Sequence, residues 1–154
     1  MSHRRKKRNQ QRGFAAIGLQ DPKFAVNVGS AIRAAGCYEA SMVAIAGNDR
    51  YKRAPTDTMK TYRHIPIFQV DDLHDVIPFD CVPVAVELVD EAISLFDYKH
   101  PQRAFYIFGA EDQTLGKKVL SWCKDIVCIP TNGCMNLAAT VNVVLYDRMM
   151  KGWK

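Results

Sequence analysis

The segment RAFYIFGAEDQTLGKKVLSWCKDIVCIP, residues 103–130, decides the fold class. RAFYIFG (103–109) is a nearly continuous apolar run, LGKKVLSWC (115–123) reads as a helix, and DIVCIP (125–130) is apolar again up to its proline. A strand without polar alternation is one buried on both faces, and two such strands bracketing a helix are the mark of a parallel sheet. Outward from there, FAAIGL (14–19), SMVAIAG (41–47), IPIFQV (65–70) and VPVAVEL (82–88) read as four more strands. A helix is expected through about 28–36, ended by Gly36. DDLHDVI (71–77) is expected as a short helix whose first-turn acids suit the helix dipole, and 136–150 as a closing amphipathic helix. The polar stretch 49–64 is expected as loop or short helix. The fold class is therefore α/β: a single-domain, mostly parallel sheet with helices on both faces.

At 154 residues the chain is one domain's worth, and with 48% hydrophobic and 24% charged residues it needs no disulfide or metal staple to build a core. No apolar run approaches the ~20 residues of a membrane-spanning helix, and the basic N-terminus lacks the apolar stretch of a secretory signal. A soluble cytoplasmic protein with no membrane partner is expected. Five cysteines without a C-x-x-C pair and four scattered histidines fit neither a zinc knuckle nor a metalloenzyme motif, so no metal is expected.

The net charge of +5 is unevenly placed. Residues 1–12 hold Arg4, Arg5, Lys6, Lys7, Arg8 and Arg12 and no acid, which leaves a body with one more acidic than basic residue. The division expected is a basic disordered arm, 1–12, and a folded domain, 13–154. Such an arm suits a polyanion. A local basic patch, with Arg50, Lys52, Arg53 and Arg63, lies in the body, whereas 71–97 is acidic without Lys or Arg.

Ligands of open α/β sheets bind at the carboxyl ends of strands, and three loops there stand out. In NVGSAIR (27–33), Asn27 suits a helix cap, Gly29 permits close backbone approach, and Arg33 offers a five-donor fork to phosphate or carboxylate. In IFGAEDQTLG (107–116), Gly109 exposes backbone and Glu111 is a loop carboxylate, but the dinucleotide and phosphate-loop glycine spacings are absent. In CIPTNGCMN (128–136), small polar residues follow a strand end, and Asn136 opens the closing helix.

In this order and spacing the loops resemble the three motifs of the SpoU/TrmH branch of the SPOUT superfamily of RNA methyltransferases, from Phe14 onward. Asn27, Gly29 and Arg33 resemble the first motif. Phe108, Gly109 and Glu111 resemble the second, and Ile129, Pro130, Met135, Asn136, Leu145 and Tyr146 the third. Cys134 stands where the family has serine, Ala138 replaces a later serine, and Thr114 replaces a glycine.

The resemblance implies a sheet with a C-terminal trefoil knot, and bent S-adenosylmethionine held largely by backbone groups. The implied cofactor residues are Val86, Leu88, Gly109, Ile129, Pro130, Cys134 and Met135. The implied catalytic set is Arg33, Asn27, Glu111 and Asn136. It further implies a homodimer in which Arg33 serves the other subunit's cofactor, and transfer of a methyl group to a ribose 2′-hydroxyl of tRNA or rRNA. Because an arginine pKa exceeds ~12, Arg33 is expected to orient the hydroxyl and a neighbouring phosphate, with Glu111 as the alternative base. The closing helix adds an apolar stripe, Val141, Leu145, Met149 and Trp153, expected at the dimer interface. A non-catalytic RNA-binding relative keeping the fold is the alternative, and Cys134 is the residue that bears on it.

Overall fold

The computed structural model describes residues 11–47, 56–110 and 112–153. Among these residues seven strands make one sheet: β1 Phe14–Gln20, β2 Met42–Ala46, β3 Ile67–Val70, β4 Val82–Val86, β5 Ile93–Ser94, β6 Arg103–Gly109 and β7 Asp125–Cys128. Their spatial order is β3-β2-β1-β6-β4-β7-β5, and every pairing is parallel. The helices are α1 Ala25–Cys37, α2 Gly116–Trp122 and α3 Leu137–Met150, with short 3-10 turns at Thr61–Arg63 and Leu73–Val76.

The continuous apolar strands are explained by a core on each face. On one face α1 and α3 pack over the sheet, where Val28, Ala31, Val141 and Val144 share a core with Ile17, Leu19, Val84 and Tyr106. On the other, Leu73, Leu115 and Val119 cover Ala16, Ala44, Ala85, Phe105 and Ile107. Along β6, Tyr106 and Phe108 enter the first core while Phe105 and Ile107 enter the second, the two-residue period of a strand buried on both sides. Each fully buried side chain of this size contributes about 1.5–3 kcal/mol.

Three local features differ from the sequence expectation. α1 begins at Ala25 and Phe24 is its N-cap residue, because the N–H groups of Asn27 and Val28 already donate to Phe24 O. Asn27 therefore lies inside the first turn and does not cap. Gly36 does not end the helix. It lies within the last turn, where a Cβ would come within 2.7 Å of Thr61 Oγ1, so its bare backbone admits the 3-10 turn. The edge strand β5 is a seventh element that no apolar run announces. It exists because Leu95 N donates to Cys128 O, while Glu87 N donates to Val127 O on the other side of β7. Residues 87–92 thus carry the chain from one flank of β7 to the other.

The stripe expected at a dimer surface belongs instead to the protomer's own core at Val141 and Leu145, which are 0% and 3% exposed. The exposed apolar residues of these helices are Val26, Tyr146 and Met150, with Phe24 just before α1.

A buried polar network closes the amino end of the sheet. His100 Nδ1 lies 2.7 Å from the Tyr106 hydroxyl, and its Nε2 lies 2.7 Å from Asp147 Oδ2. Arg148 donates to Pro101 O at 2.6 Å, Gln102 O at 2.7 Å and the Tyr106 hydroxyl at 3.1 Å. Lys151 pairs with Asp147 at 2.9 Å and donates to Tyr98 O at 3.0 Å. Burial pushes the Tyr106 hydroxyl up to about 12 and holds His100 below the usual imidazole value despite Asp147. Beside this network Gln11 N donates to Gly152 O, so the chain leading back to the basic arm leaves from the amino end. No helix among the described residues is long and apolar enough to cross a membrane.

Candidate active site

The carboxyl ends of β4, β6 and β7 lie side by side, and the segments that follow them enclose a cleft of about 300 Å³. Of the residues expected to hold a cofactor, Val86, Leu88, Gly109, Ile129, Cys134 and Met135 line it. Pro130 does not line it, although Ile129 and Thr131 on either side do. The lining also includes Glu87, Phe108, Asp112, Gln113, Thr114, Thr140 and other neighbours of the expected positions. Phe108 and Thr114 belong to the second motif as the sequence shows it, so the motif itself is the signal for them. Glu87 falls between the expected Val86 and Leu88, but nothing in the sequence points to its bond across the cleft.

Glu87 joins two walls of the cleft. Its Oε2 accepts from Leu115 N at 2.8 Å and its Oε1 from Leu88 N at 3.0 Å. The turn between β6 and α2 is thereby fixed to the segment after β4. At Gly109 a Cβ would stand 3.2 Å from Leu115 Cδ2 and 3.4 Å from Gln113 O, so this glycine admits the same turn close to the strand end. Asp112 is ion-paired with Lys23, which holds its carboxyl below the usual range.

The third wall is set by Asn136. Its side-chain oxygen caps α3, accepting from Ala138 N at 2.9 Å and Ala139 N at 3.2 Å, while its Nδ2 donates to Asn27 Oδ1 at 3.0 Å. Two residues of the expected catalytic set are thus brought together, as a brace between α1 and the loop before α3. Thr131 tightens that loop, its hydroxyl donating to Gly133 O at 2.7 Å.

Arg33 lies elsewhere. It is exposed on α1, with no hydrogen-bond or ion-pair partner among the described residues. It lines a second cleft of about 420 Å³ with Ser30, Ala34, Cys37, Thr56, Thr58 and Asn142, and among the described residues the two clefts share none. Arg63 is exposed and sits 5.9 Å from the centre of the Tyr62 ring, and Arg12 is exposed at the root of the arm. Glu111, Arg4, Arg5, Lys6, Lys7, Arg8, Arg50, Lys52 and Arg53 lie outside the described residues. Among the described residues no group of three or more His, Cys, Asp or Glu could hold a metal ion.

Residues 15–146 match the model of the SpoU rRNA Methylase family. No curated protein matches the chain. Among solved structures the chain is similar to the SpoU methyltransferase AviRb from Streptomyces viridochromogenes, with TM-score 0.79 and 21% identity over 92% of this chain and 61% of that one. It thus spans about three fifths of AviRb. A TrmH/SpoU tRNA modifying enzyme from A. aeolicus gives TM-score 0.80 and 15% identity over 93% of this chain and 77% of the other. A protein solved to explain the 2-OH methylation of C/U34 on tRNA gives TM-score 0.76 and 18% identity, with 92% of each chain covered.

Proposed function

The chain belongs to the SpoU rRNA Methylase family, and from that membership we propose that it is an RNA methyltransferase using S-adenosylmethionine, acting on a ribose 2′-hydroxyl of tRNA as a cytoplasmic homodimer. The observation that carries this reading is the cleft at the carboxyl ends of β4, β6 and β7, which gathers six of the seven residues expected to hold the cofactor. Its volume of about 300 Å³ falls in the usual range of small-molecule sites. Its donor set fits the cofactor: apolar Val86, Leu88, Ile129 and Leu137 suit a purine, backbone and threonine groups suit a ribose, and carboxylates suit cationic centres. AviRb has been solved with AdoMet, which supports the same assignment.

When bound, S-adenosylmethionine supplies an electrophilic methyl carbon on a sulfonium. The chain's own residues must then place a ribose oxygen in line with it and let one proton leave. Arg33 is suited to hold the hydroxyl and an adjacent phosphate with its planar fork. Asn27 and Asn136 brace α1 to the cofactor loop, so Arg33's helix and the cleft keep a fixed relation. Glu111 is proposed to support the second loop, with the hydroxyl proton passing to the RNA phosphate or solvent.

Among the described residues Arg33's cleft and the candidate cofactor cleft share no lining residue, which supports a complete site in which Arg33 of one subunit meets the cleft of another. Phe24, Val26, Tyr146 and Met150 supply the exposed apolar surface for that association. The same reading takes residues 1–12 as an RNA-binding arm on the domain 13–154, with Arg50, Lys52, Arg53 and Arg63 as a second contact, and the segment after β7 as threaded into a knot. The alternative tRNA and rRNA targets are separated by one experiment. RNA pools incubated with the protein and methyl-labelled cofactor, then digested for mass spectrometry, should yield a 2′-O-methylated nucleoside from tRNA. Label in protein or on a base, or none at all, would contradict the proposal.

A further inference from the structure

Glu87 carries a charge the cleft does not neutralise. Among the described residues two carboxylates line the cleft, Glu87 and Asp112, and no Lys, Arg or His does. Asp112 is compensated by Lys23. Glu87 has no salt-bridge partner among the described residues, and its oxygens are held only by the neutral N–H groups of Leu115 and Leu88. The carboxylate is half-buried, at a site where charge is less screened than at the open surface.

We propose that Glu87 is the residue by which this cleft discriminates S-adenosylmethionine from its demethylated product. The inference rests on the cofactor assignment above. When the methyl bonds to the ribose oxygen, the sulfur–carbon electron pair stays on sulfur and the hydroxyl proton departs. The ligand in the cleft therefore changes from a cationic sulfonium to a neutral thioether, with its other groups unaltered. A fixed, uncompensated negative charge in the lining attracts the first and has no corresponding pull on the second. The two hydrogen bonds to Glu87 keep the charge in place in both states, so the discrimination needs no rearrangement of the loops. Product release follows from the loss of one positive charge.

Calorimetry of the full chain with S-adenosylmethionine and with S-adenosylhomocysteine tests this. Glu87→Gln removes the charge and keeps an acceptor for Leu115 N. The ratio of the two dissociation constants should shift roughly three- to tenfold toward the product, almost entirely through weaker cofactor binding. Glu87→Asp, which keeps the charge, should preserve a preference for the cofactor even where both ligands bind more weakly. In the wild type, added salt should weaken cofactor binding more than product binding, a measurement that needs no variant to fold. Equal losses for both ligands in Glu87→Gln, or a wild-type ratio indifferent to salt, would overturn the inference and leave Glu87 as a peg between loops. A wild type that binds neither ligand would overturn the cofactor assignment as well.

Discussion

The two ends of the sheet solve opposite problems. At the amino end His100, Asp147, Arg148 and Lys151 are locked to one another and to backbone carbonyls, with His100 and Arg148 6% and 2% exposed. At the carboxyl end carboxylates, threonines and an amide line an open cleft, and the hydrogen bonds tie loops to each other: Glu87 to Leu115, Asn136 to Asn27. A buried polar network withstands water's absence only when nearly every member is satisfied. A binding cleft must instead hold its walls still and leave some groups available. The same chain thus places its stability at one end and its chemistry at the other, as expected where ligands sit beyond strand carboxyl ends.

The sharpest way to separate the two ends is to damage each alone. Arg33→Ala should lower methyl transfer by ~10²–10⁴-fold, since its guanidinium is assigned to the reacting hydroxyl. Cofactor affinity by calorimetry and the urea midpoint should stay near wild type. Full turnover by this variant would remove Arg33 from the mechanism.

Arg148→Met should do the reverse. It strands the carbonyl of Pro101 and removes one of the bonds to Gln102 O and to the Tyr106 hydroxyl, which keep Phe14 N and His100 as partners, at a cost of about 2–4 kcal/mol in urea unfolding, with the affinity of the remaining folded protein for cofactor unchanged. A stable variant without cofactor binding would break the division between the ends.

The arm joins the comparison because its root lies at the stable end, beside Gly152. Deleting residues 2–10 spares the Gln11 bond and removes five of the basic residues. Each phosphate that is no longer neutralised should flatten the slope of log RNA affinity against log salt by ~0.7–0.9, and cofactor binding should not change. An unchanged slope would move RNA recognition to the body around Arg63.

The smallest effect is a pH dependence from His100. Burial holds its folded value below that of the unfolded chain, so the unfolded state takes up the proton first. Stability should therefore fall as pH drops below ~6.5, by at most ~1.4 kcal/mol per pH unit from this group, and level off once the folded imidazole titrates. In His100→Gln that acid-side slope should be shallower. Identical slopes in both proteins would assign the pH dependence to other groups.

How much of the molecule is legible in the sequence depends on the range over which each feature is determined. Strands such as RAFYIFG announce themselves because burial on both faces removes every polar residue from a local run. β5 does not, since its two residues owe their conformation to β7 rather than to their own pattern. The loops of the cleft are readable because small residues at strand ends have a local rationale. Glu87 is not, because its role depends on a backbone N–H 28 residues further along. Asn136 caps its helix as its position suggests, whereas Asn27 does not, since the start of a helix is fixed by which carbonyl first accepts, here Phe24 O. Likewise a lone histidine gives no sign of Asp147, 47 residues away.

The central claim is that Arg33 of one subunit completes the cleft of the other. Arg33→Ala should be mixed, after joint denaturation and refolding, with a variant whose cleft is blocked, such as Gly109→Val, each inactive alone. In an equal mixture half the dimers are mixed and each holds one intact composite site, so activity should recover to about one quarter of the wild-type value. Activity no higher than the sum of the separate variants, with mixed dimers present by mass, would place Arg33 and the cofactor in the same subunit and contradict the claim.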